Sequence, residues 1–403
     1  MDLRVITDTE ALAAACEAYA RAPYVTVDTE FMRERTYWPI LCLVQLGRPR
    51  REGESEEDWR RDGALIVDPM AKGLSLEPLF VLMADESVMK VFHAARQDVE
   101  IFLYLSGAVP TPLYDTQVAA MVCGFGDQVG YETLVRKIVG QGLDKSSRFT
   151  DWSRRPLSEK QLRYALGDVT HLRTIYETLS ERVERAGRTH WVAEEMGLLA
   201  DPATYITEPE EAWKRLRLKN PAPKLFHAAR ALAAWREREA QRRNVPRNRV
   251  MKDDALRELA ASRPSDIETL SKSRLLTREN RGGEQAQSIL DVLSEIGKGD
   301  GPPPPRERDA PRPTAAQSAI AELLRTLLRA KAAKADVAAR LIASASDLDL
   351  LAVSDDDELP ALQGWRREVF GEDALRLKRG EIALSASRRG VRVVELPKEQ
   401  GGS

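Results

Sequence analysis

The stretch YVTVDTEF, residues 24–31, constrains the fold more than any other. Its apolar start reads as a buried strand, and Asp28 and Glu30 follow two residues apart. Residues two apart on a strand point to the same face. Two carboxylates placed there repel each other and resist losing water. Such a pair either faces solvent along a sheet edge or shares a hard divalent cation. The second alternative requires further carboxylates from elsewhere in the chain to converge on the first two.

The surrounding sequence supports an α/β domain. Residues 9–22 read as an alanine-rich helix, and strands are expected at Leu41–Gly47, Ala64–Pro69 and Met89–His93. Helices are expected at 94–106 and over YDTQVAAMVCGFG. Strands that come first and then alternate with helices give this class. Between the second and third strands, RPRREGESEEDWRRDG reads as a long exposed hairpin loop. The segment GFGDQVG, 124–130, has no dinucleotide spacing and reads as a turn before a helix.

After about residue 205 the strand signal disappears. Successive helices are expected over 224–296, then the proline-rich GKGDGPPPPRERDAPRPT, an extended spacer, and a second helical block over 315–387. The two helical blocks have similar layouts and suggest a diverged duplication. The resulting division is 1–205, 215–297, a linker over 298–314, 315–387 and a polar tail over 388–403.

Charge separates the halves. Residues 1–200 hold 24 Lys+Arg and 31 Asp+Glu, while the remainder holds 37 and 32. An acidic half joined to a basic half suits a metal-binding domain with a polyanion-binding partner. No apolar run approaches the roughly 20 residues that span a bilayer, and the N-terminus has no targeting pattern, so a cytoplasmic location is expected. Cys16, Cys42 and Cys123 lack a zinc or disulfide spacing and read as buried thiols.

Two further segments supply carboxylates. Asp98 falls early in the helix that follows KVFH. The stretch SEKQLRYALGDVTHLRTIYETL opens with a Ser158–Gln161 capping box, and its apolar spacing marks one helical face. Tyr164 and Asp168 are four apart and stack at the rim of that face. In order, VDTEF, FHAARQDVEIF and YALGDV resemble the three motifs of the DEDDy 3′→5′ exonucleases. With YDTQVAA and LDKSSRFTDWSRRPLSEKQLRYALGDV, the resemblance over 1–205 narrows to the ribonuclease D family. Residues 215–297 resemble an HRDC domain, a small helical nucleic-acid-binding module, and 315–387 resemble a more diverged copy.

The resemblance implies a ribonuclease H-like α/β exonuclease domain followed by two small all-α domains. It implies two divalent ions, Mg²⁺ or Mn²⁺, held by Asp28, Glu30, Asp98 and Asp168. Asp28 would bridge both ions, and Tyr164 would orient the attacking water. The products would be nucleoside 5′-monophosphates from RNA 3′ ends, with tRNA precursors and other stable RNAs as substrates and a monomer as the default state. No membrane and no obligate protein partner is implied.

Phe31 is placed to stack on a terminal base or to pack in the core; His93 to contact phosphate or to serve as a structural donor. Lys145 and Arg148 sit in a polar loop suited to phosphate. Arg242, Arg243, Arg247 and Arg249 form a basic segment suited to a phosphate-tracking surface or to a solvated helix end. His171 reads as structural. Two alternatives compete with the exoribonuclease: a DNA-directed 3′→5′ exonuclease, since sugar type is not read by these motifs, and a nucleic-acid-binding protein without catalysis. The second would be expected to lack some of the acidic set, and none is missing.

Overall fold

A computed structural model describes residues 4–143, 150–277, 279–296, 314–354, 357–388 and 390–397. Six strands form one mixed sheet: β1 (Val5–Ile6), β2 (Tyr24–Met32), β3 (Ile40–Gly47), β4 (Ala64–Val67), β5 (Met89–Phe92) and β6 (Leu113–Asp115). Their order is β1-β4-β3-β2-β5-β6, so β2 is central. It runs parallel to β5, with Tyr24, Val25 and Thr26 opposite Met89, Lys90 and Val91. β5 is parallel to β6, and β3 antiparallel to β4. Helices α1 (Thr9–Tyr19), α2 (Glu56–Asp62), α3 (Glu77–Ala84), α4 (Arg96–Ser106), α5 (Thr116–Val122), α6 (Tyr131–Leu134), α7 (Glu159–Arg185) and α8 (Thr189–Ala200) complete this part. The α/β expectation holds. β1 and β6, two and three residues long, are too short to have shown a period of two.

The expected exposed loop between β3 and β4 is instead built around a buried tryptophan. Trp59 on α2 is fully buried, and its indole donates to Arg48 O at 2.8 Å. Arg48 is itself buried against Glu54 and Asp62, and the Arg173 guanidinium lies 4.6 Å from the Trp59 ring. The charged composition of the segment hid this one apolar anchor.

Helix α7 is seated on the sheet by a small-residue contact. The buried Thr26 hydroxyl lies 3.2 Å from Gly47 O and 3.0 Å from Val169 O. A Cβ at Gly47 would come within 2.5 Å of that hydroxyl and 3.4 Å of the Val169 carbonyl. Glycine is therefore needed for α7 to approach β2 and β3 this closely. The expected capping box is present at Ser158 and Gln161.

The first helical block comprises α9 (Pro223–Arg243), α10 (Arg247–Val250), α11 (Asp253–Ser262), α12 (Ile267–Ser271) and α13 (Gly283–Glu295). The second comprises α14 (Ala315–Ala335), α15 (Ala339–Ile342), α16 (Ala345–Val353), α17 (Gly364–Arg366) and α18 (Glu372–Lys378). Both begin with a 21-residue helix that ends on a left-handed residue, Asn244 or Asp336, each at φ 48°, before a four-residue helix. β7 (Ile382–Ser387) and β8 (Gly390–Glu395) pair as an antiparallel hairpin, a departure both from the helical block expected to run to 387 and from the polar tail expected after it. The expected linker, 298–314, lies outside the described residues except for Thr314, which caps α14.

The chain divides into two compact units, and the division departs from a simple serial order. One unit draws on Met1–Glu30, Cys42–Thr204 and Pro311–Ser403; the other on Phe31–Leu41 and Tyr205–Ala310. In the second unit Tyr37 joins the core formed by Leu232, Leu256, Ile289 and their neighbours. In the first, Trp191 on α8 stacks on Trp365 at 4.6 Å, and Glu195 accepts from Arg366 and the Trp365 indole.

Candidate active site

Asp28 and Glu30 project from β2, and Asp168 from α7, into one cavity of about 420 Å³. A carboxylate oxygen from each lies within 4.8 Å of the other two. Asp98, on the first turn of α4, is buried and accepts a hydrogen bond from Thr29 of β2. Tyr164, one turn before Asp168 on α7, lines the same cavity, with Trp152 6.2 Å away ring to ring. The structure thus gathers three of the expected carboxylates and the tyrosine. It holds the fourth carboxylate beside them through Thr29.

Several contacts explain why these side chains are where they are. The turn from β5 into α4 passes through Ala94 at φ 56°, a conformation unusual for a residue with a Cβ. Asp115, at the end of β6, fixes that turn by accepting from the Ala94 and Ala95 amides, each at 2.9 Å. It also caps α5 through Gln117 N at 2.8 Å. The loop before α7 is clamped by Arg155, whose guanidinium spans both Asp68 oxygens at 2.6 and 2.7 Å and reaches Cys42 O. Tyr131 donates its hydroxyl to the Asp168 carbonyl, tying α6 to the catalytic turn of α7. Thr29, Asp115 and Tyr131 escaped the sequence reading because each acts through a partner far away in sequence. Only the YDTQVAA match hinted at Asp115.

The electrostatics are unfavourable as they stand. Burial, then the charges of Asp168, Asp98 and Glu30, hold the Asp28 carboxyl well above its usual range. Burial and two of the same neighbours push Glu30 to about 9. Burial lifts Asp168 to about 7. Burial also lifts Asp98 to about 7 against the opposing Thr29 hydrogen bond. A cluster of hard oxygen donors destabilised by its own charge fits divalent cations, which reverse that balance.

The remaining expected residues divide. His93 lines the cavity, and its Nδ1 lies 3.0 Å from Thr116 Oγ1. The Thr116 hydroxyl donates to Phe92 O, so His93 Nδ1 carries the proton and donates to it. Burial lowers the His93 pKa, against the raising effect of the Asp115 charge. Phe31, half-buried on β2, is not among the described residues lining the cavity. Lys145 and Arg148 lie outside the described residues. In the second unit Arg247 is committed: it pairs with Glu237, donates to the Tyr37 hydroxyl at 2.9 Å and stacks on that ring. Arg242 pairs with Glu239 at 2.7 Å, Arg243 lies 3.9 Å from the same carboxylate, and Arg249 is exposed. The expected phosphate surface is therefore smaller than its arginine count, because Glu237 and Glu239 within the same segment already neutralise part of it.

The fold and the carboxylate cluster define a 3′–5′ exonuclease, and the family model for a 3′-5′ exonuclease matches residues 3–184. The HRDC domain model matches residues 226–293. Ribonuclease D of Jannaschia sp. is 54% identical over 97% of this chain and 99% of its own length. Ribonuclease D of Acidiphilium cryptum is 52% identical over 98% and 97%. The crystal structure of Escherichia coli RNase D superposes with a TM-score of 0.77 at 29% identity, covering 94% of this chain and 99% of that one. The chain belongs to the ribonuclease D family.

Proposed function

We propose that this 3′–5′ exoribonuclease hydrolyses RNA 3′ ends with two divalent ions and releases nucleoside 5′-monophosphates. The observation that carries the reading is the convergence of Asp28, Glu30 and Asp168 with Tyr164 in one cavity. Asp28, Glu30 and Asp168 would hold the ions, with Asp98 assisting beside them. Bound there, Mg²⁺ or Mn²⁺ supplies Lewis-acid stabilisation of charge on the attacking and leaving oxygens. Tyr164 orients the attacking water by hydrogen bonding. Tyr131 and Arg155 keep α7 in register for both tasks.

The substrates proposed are tRNA precursors and other structured RNAs with 3′ extensions, trimmed in the cytoplasm. The related E. coli enzyme is described as an exoribonuclease involved in structured RNA processing. No described helix is long and apolar enough to cross a membrane. Residues 226–293, matched by the HRDC model, would hold the RNA body, and residues 315–387 would be a diverged second copy. The shared order of a 21-residue helix, a left-handed residue and a four-residue helix supports that duplication. The test is purified protein on a 3′-extended tRNA with Mg²⁺, Mn²⁺ or EDTA. Stepwise shortening with release of 5′-monophosphates only when metal is present is expected. Equal shortening in EDTA would overturn the metal assignment, and internal cleavage would overturn the exonuclease one.

A further inference from the structure

Helix α7 carries Tyr164 and Asp168, and β2 carries Asp28 and Glu30, so the spacing of these carboxylates depends on how α7 lies along β2. The Thr26 hydroxyl holds α7 at the Val169 carbonyl. Beyond that point two side chains set the direction in which the helix runs. Glu177, two turns after Val169, accepts from the Tyr24 hydroxyl of β2 at 2.6 Å. Arg173, one turn after Val169, donates to Glu56 of α2 at 2.8 Å and to Glu177 at 3.4 Å. Its guanidinium lies over the Trp59 ring, 4.6 Å from the centre. Trp59 is in turn seated by Gly63 at the end of α2, where a Cβ would collide with the indole.

Arg173 is poorly suited to stabilising the fold. It is buried with no hydrogen-bond partner for its Nε, and a cation taken out of water is costly even when paired. Its partners Glu56 and Glu177 stay 40% and 44% exposed, so an apolar side chain in its place would strand no buried charge. Such a side chain would fill the site but would accept several positions of the helix. A planar guanidinium that reaches two carboxylates and lies on an aromatic ring accepts one.

We infer that Arg173 is a positioning residue for the catalytic cluster. Held by Glu56 and Trp59 of α2 and by Glu177, it sets the seat of α7 on β2, and with it the spacing of Asp168 from Asp28 and Glu30. The charged segment between β3 and β4 is thereby the brace of the catalytic helix. This rests on the reading that these carboxylates hold the metal ions.

The test uses the full chain and three readouts: Tm without metal, Mn²⁺ affinity by titration calorimetry without RNA, and steady-state hydrolysis of a short oligoadenylate. Arg173→Met should leave Tm unchanged or higher. It should weaken Mn²⁺ binding about 10-fold. It should lower kcat about 10-fold or more, with KM changed less. Arg173→Lys keeps the charge but not the planar fork, so it should show the same losses as Arg173→Met. Arg185→Ala, on the same helix but paired with the exposed Glu181, should match wild type in all three readouts. The inference is overturned if Arg173→Met keeps wild-type Mn²⁺ affinity and kcat, or if Arg173→Lys restores both. It is overturned equally if Arg173→Met fails to fold, since Arg173 would then be serving stability. A wild type that binds no Mn²⁺ would overturn the metal reading and this inference together. A wild type that binds Mn²⁺ but shortens no RNA would overturn the cleavage reading alone.

Discussion

The carboxylate cavity and the arginine-rich segment around α9 and α10 handle charge in opposite ways. In the cavity, the charges acting on Asp28 come from Asp168, Asp98 and Glu30, all of its own sign. Around α9, cations find acids: Arg236 with Asp253, Arg238 with Glu210, Arg242 with Glu239, and Arg247 with Glu237. The site that looked modest in sequence, a few acids among many, is the one left uncompensated. The segment that looked strongly basic is largely neutralised within its own unit. Charge counted along the chain is therefore a poor guide to charge available to a ligand, and the uncompensated cluster is where a bound cation would be most stabilising.

The largest expected effect breaks the cluster. Asp28→Asn should lower kcat by about 10³-fold or more, the equivalent of about 4 kcal/mol, because a cation-binding charge is lost from the reaction centre. Near-normal turnover in excess Mg²⁺ would separate Asp28 from catalysis. Next, Tyr164→Phe keeps the ring and removes only the hydroxyl. A fall of roughly 10²-fold in kcat with little change in KM is expected for an orienting group; equal effects on both would make it a substrate contact.

The paired region should respond in stability instead of turnover. Arg247→Ala strands the buried Glu237 and removes the guanidinium from Tyr37, so urea unfolding should show a loss of about 3 kcal/mol. Arg242→Ala removes an exposed guanidinium from Glu239, which keeps Gln285 and Arg243 beside it, so its loss of stability should be smaller than that of Arg247→Ala. If Arg242→Ala weakened binding of a tRNA precursor more than Arg247→Ala destabilised the fold, the segment would be serving RNA first and structure second.

The reach of the sequence follows the same division. Strand alternation paired Asp28 with Glu30 and helix periodicity paired Tyr164 with Asp168, while Asp98 joined them only through the resemblance of the three motifs to those of the exonucleases. Tyr131 and Asp115 were not legible, because their work is to bond main-chain groups at Asp168 and at Ala94 and Ala95, and main chain leaves no mark in the sequence. Trp59 was hidden inside a run of charges. The commitments of Arg236 and Arg238 depend on Asp253 and Glu210, 17 and 28 residues away. The β7–β8 hairpin was missed because residues 385–390, SASRRG, are all small or basic and mark no strand, so 315–387 read as helical and the rest as tail.

The central claim, that the cluster is destabilised until cations neutralise it, is tested by Tm of wild type and Asp28→Asn from pH 5 to 9, with and without Mg²⁺ or Mn²⁺. Unfolded carboxyls release their protons near pH 4, whereas Asp98 and Asp168 hold theirs to about 7 and Glu30 to about 9. Between those values the folded state binds more protons than the unfolded one, so metal-free stability from these groups falls as pH rises. The account predicts that metal-free wild type loses Tm relative to Asp28→Asn on going from pH 5 to 9. It also predicts that metal raises the wild-type Tm most at high pH and the variant's much less. Parallel pH profiles for the two proteins, together with a wild-type Tm that metal leaves unchanged, would contradict it.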